Sequence, residues 1–130
     1  MSKGSFEVRE LNIESDLGRL CELWGNLCMI QQMRGEKFWM DKFNRSGLSW
    51  ADFVTSLSKL DIAELIVFVY EKIVFGFIYL LKEDNFASIK EFYLEPGYRE
   101  KIDTSQLSLF IKNILESKGI EFVEFDVNEL

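Results

Sequence analysis

The chain has 130 residues, which suits one domain, and its 48% apolar content with 12 Phe and 3 Trp is enough for a buried core. Its formal charge of −7 argues against general binding to nucleic acid or to an anionic membrane, because both require a basic surface. The absence of histidine excludes Ser-His-Asp triads and histidine metal sites. Since neither a signal peptide nor an apolar run of ~20 residues is visible, we expect a cytoplasmic protein.

The first half of the chain predicts one strand and two helices. Phe6–Leu11 alternates apolar and polar residues, which indicates a strand. Apolar residues then recur at helical spacing from Leu17 to about Gln32, and again from about Trp50 to Lys59. Between the helices, the aromatic-rich segment 33–47 is expected to be a short helix or lid packed on the core. The alternative for this segment is a mobile flap over a pocket or a contact with a partner.

The second half predicts three strands, a helix and a final strand, at Leu65–Tyr70, Ile73–Leu81, Phe86–Glu95, Thr104–Ser117 and Ile120–Val127. The first of these strands is apolar throughout, which is typical of a strand buried on both faces. Glu71-Lys72 is predicted as a tight turn, and Gly76 marks a bulge or a close approach of two backbones.

The two cysteines are expected to be structural. Cys21 and Cys28 lie seven residues apart on one predicted helix, which separates them by about 10 Å along its axis. That distance is too long for a disulfide, and two cysteines at this spacing do not make a zinc site. No metal is therefore predicted.

The element order β-α-α-β-β-β-α-β predicts an α/β (α+β) fold. It consists of a mixed, mostly antiparallel sheet of about five strands with helices on both faces. The last two strands are joined through a helix, so they can pair in parallel with a right-handed crossover.

The junction between the fourth strand and the last helix carries the strongest functional signal. Pro96 and Gly97 end the strand, the basic loop Arg99–Lys101 follows, and Asp103, Thr104 or Ser105 can cap the helix. Backbone N–H groups and the positive end of the helix dipole converge at such a junction. The pattern therefore predicts an anion-binding site.

This junction and the element order resemble the GNAT superfamily of N-acetyltransferases, which bind acetyl-coenzyme A. Phe92-Tyr-Leu-Glu-Pro-Gly-Tyr-Arg99 resembles the family's apolar-x-apolar-x-Pro-x-Tyr-Arg run, and Phe75-Gly-Phe-Ile78 resembles its strand-three signature. The resemblance implies that the pantetheine arm lies between the last two strands, and that the loop holds the pyrophosphate. The candidate cofactor-binding residues are Phe92, Tyr93, Leu94, Tyr98, Arg99, Glu100, Lys101, Ile102, Asp103, Thr104 and Ser105.

The resemblance also implies the chemistry and its candidate residues. An amine of a small molecule or a peptide would attack the thioester directly, without a covalent enzyme intermediate. A carboxylate would take the proton of the amine, and Glu91 and Glu71 are the candidates for this role.

The chain departs from the family pattern in the loop and after the last strand. Ile102 and Thr104, both β-branched, stand where the family has glycine and glycine or alanine, so Ile102 is expected to crowd the loop or to change its path. Two basic and three acidic residues between Glu95 and Asp103 give +2 −3 = −1, an unfavourable sign for a pyrophosphate. These departures leave an alternative function open, a non-catalytic GNAT-fold module for binding or assembly that has lost coenzyme A binding.

The domain spans residues 1–130 and is expected to be truncated after the fifth strand, where the family usually continues with a helix and two strands. The edge of Ile120–Val127 would then be exposed, which predicts a homodimer through this strand.

Overall fold

A computed structural model describes residues 5–33, 54–56 and 59–125. It contains strands β1 (Phe6–Glu10), β2 (Ala63–Tyr70), β3 (Ile73–Glu83), β4 (Phe86–Leu94) and β5 (Phe122–Phe125), and helices α1 (Ile13–Met33) and α2 (Thr104–Ser117). Residues 54–56 are helical, as predicted. The rest of that predicted helix, the aromatic-rich segment after Met33 and the predicted end of the last strand lie outside the described residues.

The sheet has the strand order β1-β2-β3-β4-β5. The first four strands pair antiparallel, and β5 pairs parallel with β4 from Phe86↔Phe122 to Ile89↔Phe125. The parallel pair is connected through α2. The predicted mixed, mostly antiparallel sheet with a crossover between the last two strands is therefore confirmed.

Among the described residues, α1 packs on one face of the sheet and α2 on the other, which agrees with the predicted helices on both faces. On the first face, called the α1 face, Trp24 lies 4.9 Å from the Phe77 ring and 5.6 Å from the Tyr79 ring, measured between centroids. The opposite face, called the α2 face, buries a second cluster that includes Phe68 and Leu107. Because β2 and β3 have apolar side chains on both faces, they form the centre of the core.

Within the described residues, no helix is long and apolar enough to cross a membrane.

The turn between β2 and β3 contains two residues whose backbone is in the left-handed conformation. Glu71 has φ 48° and Lys72 has φ 69°, the backbone of a hairpin turn that normally prefers Asn-Gly. We expect the double substitution Glu71→Asn/Lys72→Gly to raise the free energy of unfolding by about 1 kcal/mol, because asparagine and glycine tolerate positive φ. Urea unfolding measures this, with Asp84→Asn (φ 54°) as a control that should change little. A double variant with the wild-type free energy of unfolding would contradict the left-handed backbone of this turn.

A buried carboxylate near the start of α1 makes stability depend on pH. Asp16 is 3% exposed and accepts hydrogen bonds from Arg9 Nη1 at 2.6 Å, Arg9 Nη2 at 3.0 Å and the Asn12 N–H at 2.8 Å. Burial acts to raise the pKa of Asp16, but the bonds from Arg9 and Asn12 outweigh it and hold the pKa below its usual value. The ionised form is therefore the one that stabilises the fold.

The resulting contribution to stability should be complete above the unfolded-state pKa of ~3.9 and should disappear as the pH falls through the lower folded-state pKa. We expect Asp16→Asn to lose about 2 kcal/mol at pH 7 and to show a flatter acid dependence than the wild type. Urea unfolding between pH 7 and pH 2 measures both effects. Exposed Asp61→Asn is the matched control, and an Asp16→Asn variant with the wild-type acid dependence would refute this role.

Candidate functional site

The predicted site centres on the loop between β4 and α2, which two successive turns hold in place. The loop starts at Glu95, whose N–H donates to the carbonyl oxygen of Phe75 at 2.7 Å. Gly97 follows with φ 96°, a left-handed conformation that glycine adopts without strain. The Tyr98 N–H then donates to the Glu95 carbonyl at 3.3 Å, and the Lys101 N–H to the Tyr98 carbonyl at 3.0 Å.

The Tyr98 ring fixes the loop against the central strands. It stacks on Phe75 with centroids 5.0 Å apart and an interplanar angle of 9°, and it meets Tyr70 edge-on at 6.0 Å. Lys101 Nζ lies 4.8 Å from the centroid of the same ring. The tyrosine of the predicted motif is therefore an anchor of the loop, and it also holds one of the two loop cations.

The loop combines N–H groups that have no described acceptor with exposed positive charge, and Glu100 and Thr104 are exposed whereas Ile102 is buried. The N–H groups of Glu100, Ile102 and Thr104 donate to no backbone or side-chain acceptor among the described residues. Arg99 and Lys101 are exposed, and neither has a described carboxylate within 4.0 Å. Several free backbone N–H groups beside two cations are the donor set that binds a phosphate.

Ile102 does not crowd the loop, so that part of the expectation is wrong. Its side chain is 0% exposed and belongs to the core on the α2 face. Positive φ among the described non-glycine residues occurs only at Glu71, Lys72 and Asp84, so Ile102 has an ordinary backbone conformation. A β-branched residue is therefore tolerated where the family has glycine, because its side chain points away from the exposed side of the loop.

Asp103 caps α2 and uses two donors of the helix N-terminus. Its Oδ1 accepts from the Ser105 N–H at 2.9 Å and from the Gln106 N–H at 3.3 Å. Asp103 and Ser105, two of the candidate cofactor-binding residues, are thus hydrogen-bonded to each other. The donors that remain for a ligand lie earlier, between Arg99 and Thr104.

Arg19 also belongs to this site, and sequence reasoning missed it. Its Nη2 donates to Glu95 Oε2 at 2.6 Å, and its Nε donates to the carbonyl oxygen of Val74 at 2.8 Å. With both carboxylates that Arg19 pairs with, the charge at the site is +3 −4 = −1, from Arg19, Arg99 and Lys101 against Glu22, Glu95, Glu100 and Asp103. The sum stays at the expected −1, but the charge of Glu95 is paired with Arg19. The available signal was that Arg19 is the only basic residue of α1.

β4 opens toward β5 after a bulge. Tyr79 pairs with Glu91 and Leu80 with Ile89, so Lys90 is the extra residue on β4. Among the described residues, β4 pairs with β5 only up to Ile89. The remaining part of β4, from Lys90 to Leu94, has no described strand on that side.

The backbone of this open part is directed as the resemblance implies. Because the Glu95 N–H bonds to β3, the alternation of an antiparallel ladder directs the backbone groups of Glu91 and Tyr93 toward β3 as well. The N–H and C=O groups of Phe92 and Leu94 then face the open side. They are available to pair with an extended ligand.

An apolar groove of about 600 Å³ runs along the α2 face from the loop to β5. Its wall combines Phe92 and Leu94 of β4 with Leu107 and Ile111 of α2 and Val123 of β5, and Thr104 lies at its lining where α2 begins. The groove and the donor-rich loop are therefore continuous.

The two candidate carboxylates lie in different places. Glu91 is 4% exposed and pairs with Tyr79 across the strands, on the α1 face that it shares with Tyr93. Burial raises the pKa of both tyrosines, and the charge of Glu91 raises the pKa of Tyr79 further. Glu71 lies in the exposed β2–β3 turn. The structure thus brings Glu91, and not Glu71, beside the open part of β4.

Within the part of the chain that the structure describes, no three His, Cys, Asp or Glu side chains form a cluster that could hold a metal ion.

Comparison with solved structures shows similarity to acetyltransferases. The structure of "a possible acetyltransferase from Clostridium difficile 630" has a TM-score of 0.68 and 23% identity, over 95% of this chain and 80% of that one. PaiA N-acetyltransferase from Thermoplasma acidophilum, in complex with coenzyme A, has a TM-score of 0.61 and 29% identity, over 89% of this chain and 75% of that one. A Trypanosoma brucei acetyltransferase has a TM-score of 0.62 and 21% identity, over 96% of this chain and 84% of that one. No protein-family model and no curated protein matches the sequence.

Proposed function

Since this chain has the fold of the GNAT superfamily of acetyltransferases, we propose that it is an N-acetyltransferase that uses acetyl-coenzyme A. The observation that carries this proposal is the loop before α2, where N–H groups without a described acceptor and two cations without a described carboxylate partner adjoin the open part of β4. A fold of this kind supports many functions, so the proposal rests on the chemistry of this site.

The cofactor would bind along a path that the geometry favours. Its pyrophosphate would accept hydrogen bonds from the N–H groups of Glu100 and Thr104, with Arg99 and Lys101 supplying positive charge. Its pantetheine arm would pair with the backbone of β4 at the open side, as an added strand does. The thioester would then reach the bulge at the end of that arm.

The acceptor is an amine that approaches from the α1 face, where the buried Glu91 lies. The amine nitrogen attacks the thioester carbonyl, a C–N bond forms, and the C–S bond breaks when coenzyme A leaves as a thiolate. Glu91 takes the proton that the amine loses, directly or through a water. The thiolate is protonated by solvent or by the acid that Glu91 has become.

The alternative, a GNAT-fold module without coenzyme A binding, is not favoured by any specific observation. It was suggested by the loss of the loop glycines at Ile102 and Thr104, by a negative loop and by the expected truncation after the fifth strand. Ile102 is buried in the core, and Arg19 forms a salt bridge with Glu95. The bulk of Ile102 and the charge of Glu95 therefore do not argue against binding.

The homodimer through the last strand stays a prediction. In β5, Phe122 is 60% exposed and Phe125 is 66% exposed, whereas the opposite edge strand carries the charged residues Glu7, Arg9 and Glu10. An apolar edge is open to pairing with another strand, and a charged edge is protected against it.

Acetyl-coenzyme A should stabilise the protein against unfolding. At ten times its dissociation constant, the ligand should add about 1.4 kcal/mol to the free energy of unfolding. We expect Arg99→Ala to reduce this gain, because it removes a loop cation, and Lys59→Ala to retain it, because that exposed lysine is outside the loop. Thermal and urea unfolding with ligand up to the millimolar range measure the effect. No stabilisation of the wild type would refute the proposed function.

A further inference from the structure

Arg19 links three separate parts of the molecule through one guanidinium group. Its Nε donates to the carbonyl oxygen of Val74 in β3 at 2.8 Å, and its Nη2 donates to Glu95 Oε2 at 2.6 Å. Its Nη1 donates to Glu22 Oε1 on the same helix at 3.0 Å. The Arg19 and Glu95 side chains are 24% and 25% exposed, so the pair is largely removed from water.

From this geometry we propose that Arg19 is a positioning residue for the anion-binding loop, and that it also masks the charge of Glu95. The first part concerns the ligand-free protein. The second part rests on the proposed function, because it concerns the affinity for coenzyme A.

The positioning part follows from where Glu95 stands. Glu95 is the first residue of the loop, its N–H is bonded to Phe75, and its carbonyl accepts the N–H of Tyr98. Arg19 holds the side chain of Glu95 and also the carbonyl of Val74, the neighbour of Phe75. The start of the loop is therefore tied to β3 through its backbone and through Arg19.

Arginine is suited to this role because its guanidinium carries five N–H donors in a fixed planar fork. Arg19 uses three of its nitrogens on three acceptors in three directions. A lysine has one nitrogen at the end of a flexible chain and cannot reproduce this arrangement. We therefore expect Arg19→Lys to lose the positioning of the loop.

The masking part follows from the charge of the loop. Without Arg19, the charges of Glu95, Arg99, Glu100, Lys101 and Asp103 sum to −1. A partly buried carboxylate beside a phosphate site repels the ligand, and it does so less when a cation is bonded to it. Arg19 thus pairs with the charge of Glu95 and leaves Arg99 and Lys101 to attract the phosphates.

A double-mutant cycle separates masking from a purely structural role. We expect Arg19→Gln to weaken coenzyme A binding about tenfold, which corresponds to 1.4 kcal/mol. Glu95→Gln should bind at least as tightly as the wild type. The double variant Arg19→Gln/Glu95→Gln should recover most of the lost affinity, because the carboxylate that Arg19 masks is then absent. The loss in Arg19→Gln should also shrink at high salt.

Calorimetry with coenzyme A measures the four affinities at low and high salt. If Arg19→Gln binds like the wild type, or if the double variant stays as weak as Arg19→Gln, masking is refuted. If the wild type itself does not bind coenzyme A, the proposed function fails and masking fails with it.

Amide hydrogen exchange in the ligand-free protein tests positioning independently of any ligand. In Arg19→Gln and Arg19→Lys, the amides of Tyr98 and Lys101 should exchange faster than in the wild type. The amide of Val67 in the central strand β2 should not change, which serves as the check that both variants are folded. Unchanged exchange at Tyr98 and Lys101 would refute positioning even if coenzyme A does not bind.

Discussion

Gly76→Ala is expected to lose about 3 kcal/mol or more of the free energy of unfolding. A Cβ at this position would lie 2.5 Å from the carbonyl oxygen of Tyr93, 2.7 Å from the Phe68 ring and 3.0 Å from a methyl group of Leu94. The first of these atoms belongs to the backbone of β4, which pairs with β3 at this point. Side-chain rotation therefore cannot relieve the collision, and the two strands have to separate.

The same separation should disturb the site. Gly76 pairs with Leu94, the last residue of β4, and the loop begins at the following residue, Glu95. Urea unfolding measures the loss of stability, and Gly18→Ala is a matched control because a Cβ at Gly18 meets nothing within 4 Å. Gly18 lies inside α1, so that control should gain about 0.5–1 kcal/mol from the better helix propensity of alanine. A Gly76→Ala variant within 1 kcal/mol of the wild type would show that the two backbones are not in close contact.

Glu91→Gln is expected to lower kcat for acetyl transfer by at least 100-fold. A general base contributes about 10²–10⁴-fold to such reactions, and glutamine has nearly the shape of glutamate but cannot take a proton. Affinity for acetyl-coenzyme A should stay within about threefold, because Glu91 lies on the α1 face and is not part of the loop proposed to bind the phosphates. Thiol release with an amine acceptor in excess measures kcat, and calorimetry measures the affinity.

Glu71→Gln is the matched control for this prediction, since it removes the same group from the exposed β2–β3 turn. Its kcat should remain within about twofold of the wild-type value. Loss of activity in Glu71→Gln with activity retained in Glu91→Gln would assign the base to the turn instead.

Local patterns in the sequence were sufficient for most of the fold. The apolar, β-branched run of β2, the turn at Glu71-Lys72 and the helix from Thr104 to Ser117 appear where the sequence predicts them. Each depends on contacts within a few residues, such as the cap that Asp103 provides. α1 begins at Ile13, earlier than the apolar spacing indicates, because Asn12 bonds to the first turn through its side chain.

The site could be predicted less completely, because part of it depends on contacts between distant residues. Arg19 and Glu95 are 76 residues apart, and no periodicity links a residue of α1 to the end of β4. The direction of the Ile102 side chain depends on a core that several elements build together. Likewise, the bulge at Lys90 places Glu91 and Tyr93 on the α1 face, opposite to Ile89. A sequence pattern does not show such a register shift of one residue.

We propose that acetyl-coenzyme A binds at the loop before α2 and along the open part of β4. Two-dimensional amide NMR of the full chain, titrated with acetyl-coenzyme A, tests the binding and its place together. We expect saturable shifts at the amides of Arg99–Thr104, Phe92 and Leu94, with little change at Phe6–Glu10 on the far edge of the sheet. No shifts at millimolar ligand, or shifts confined to residues outside the loop and β4, would contradict the claim.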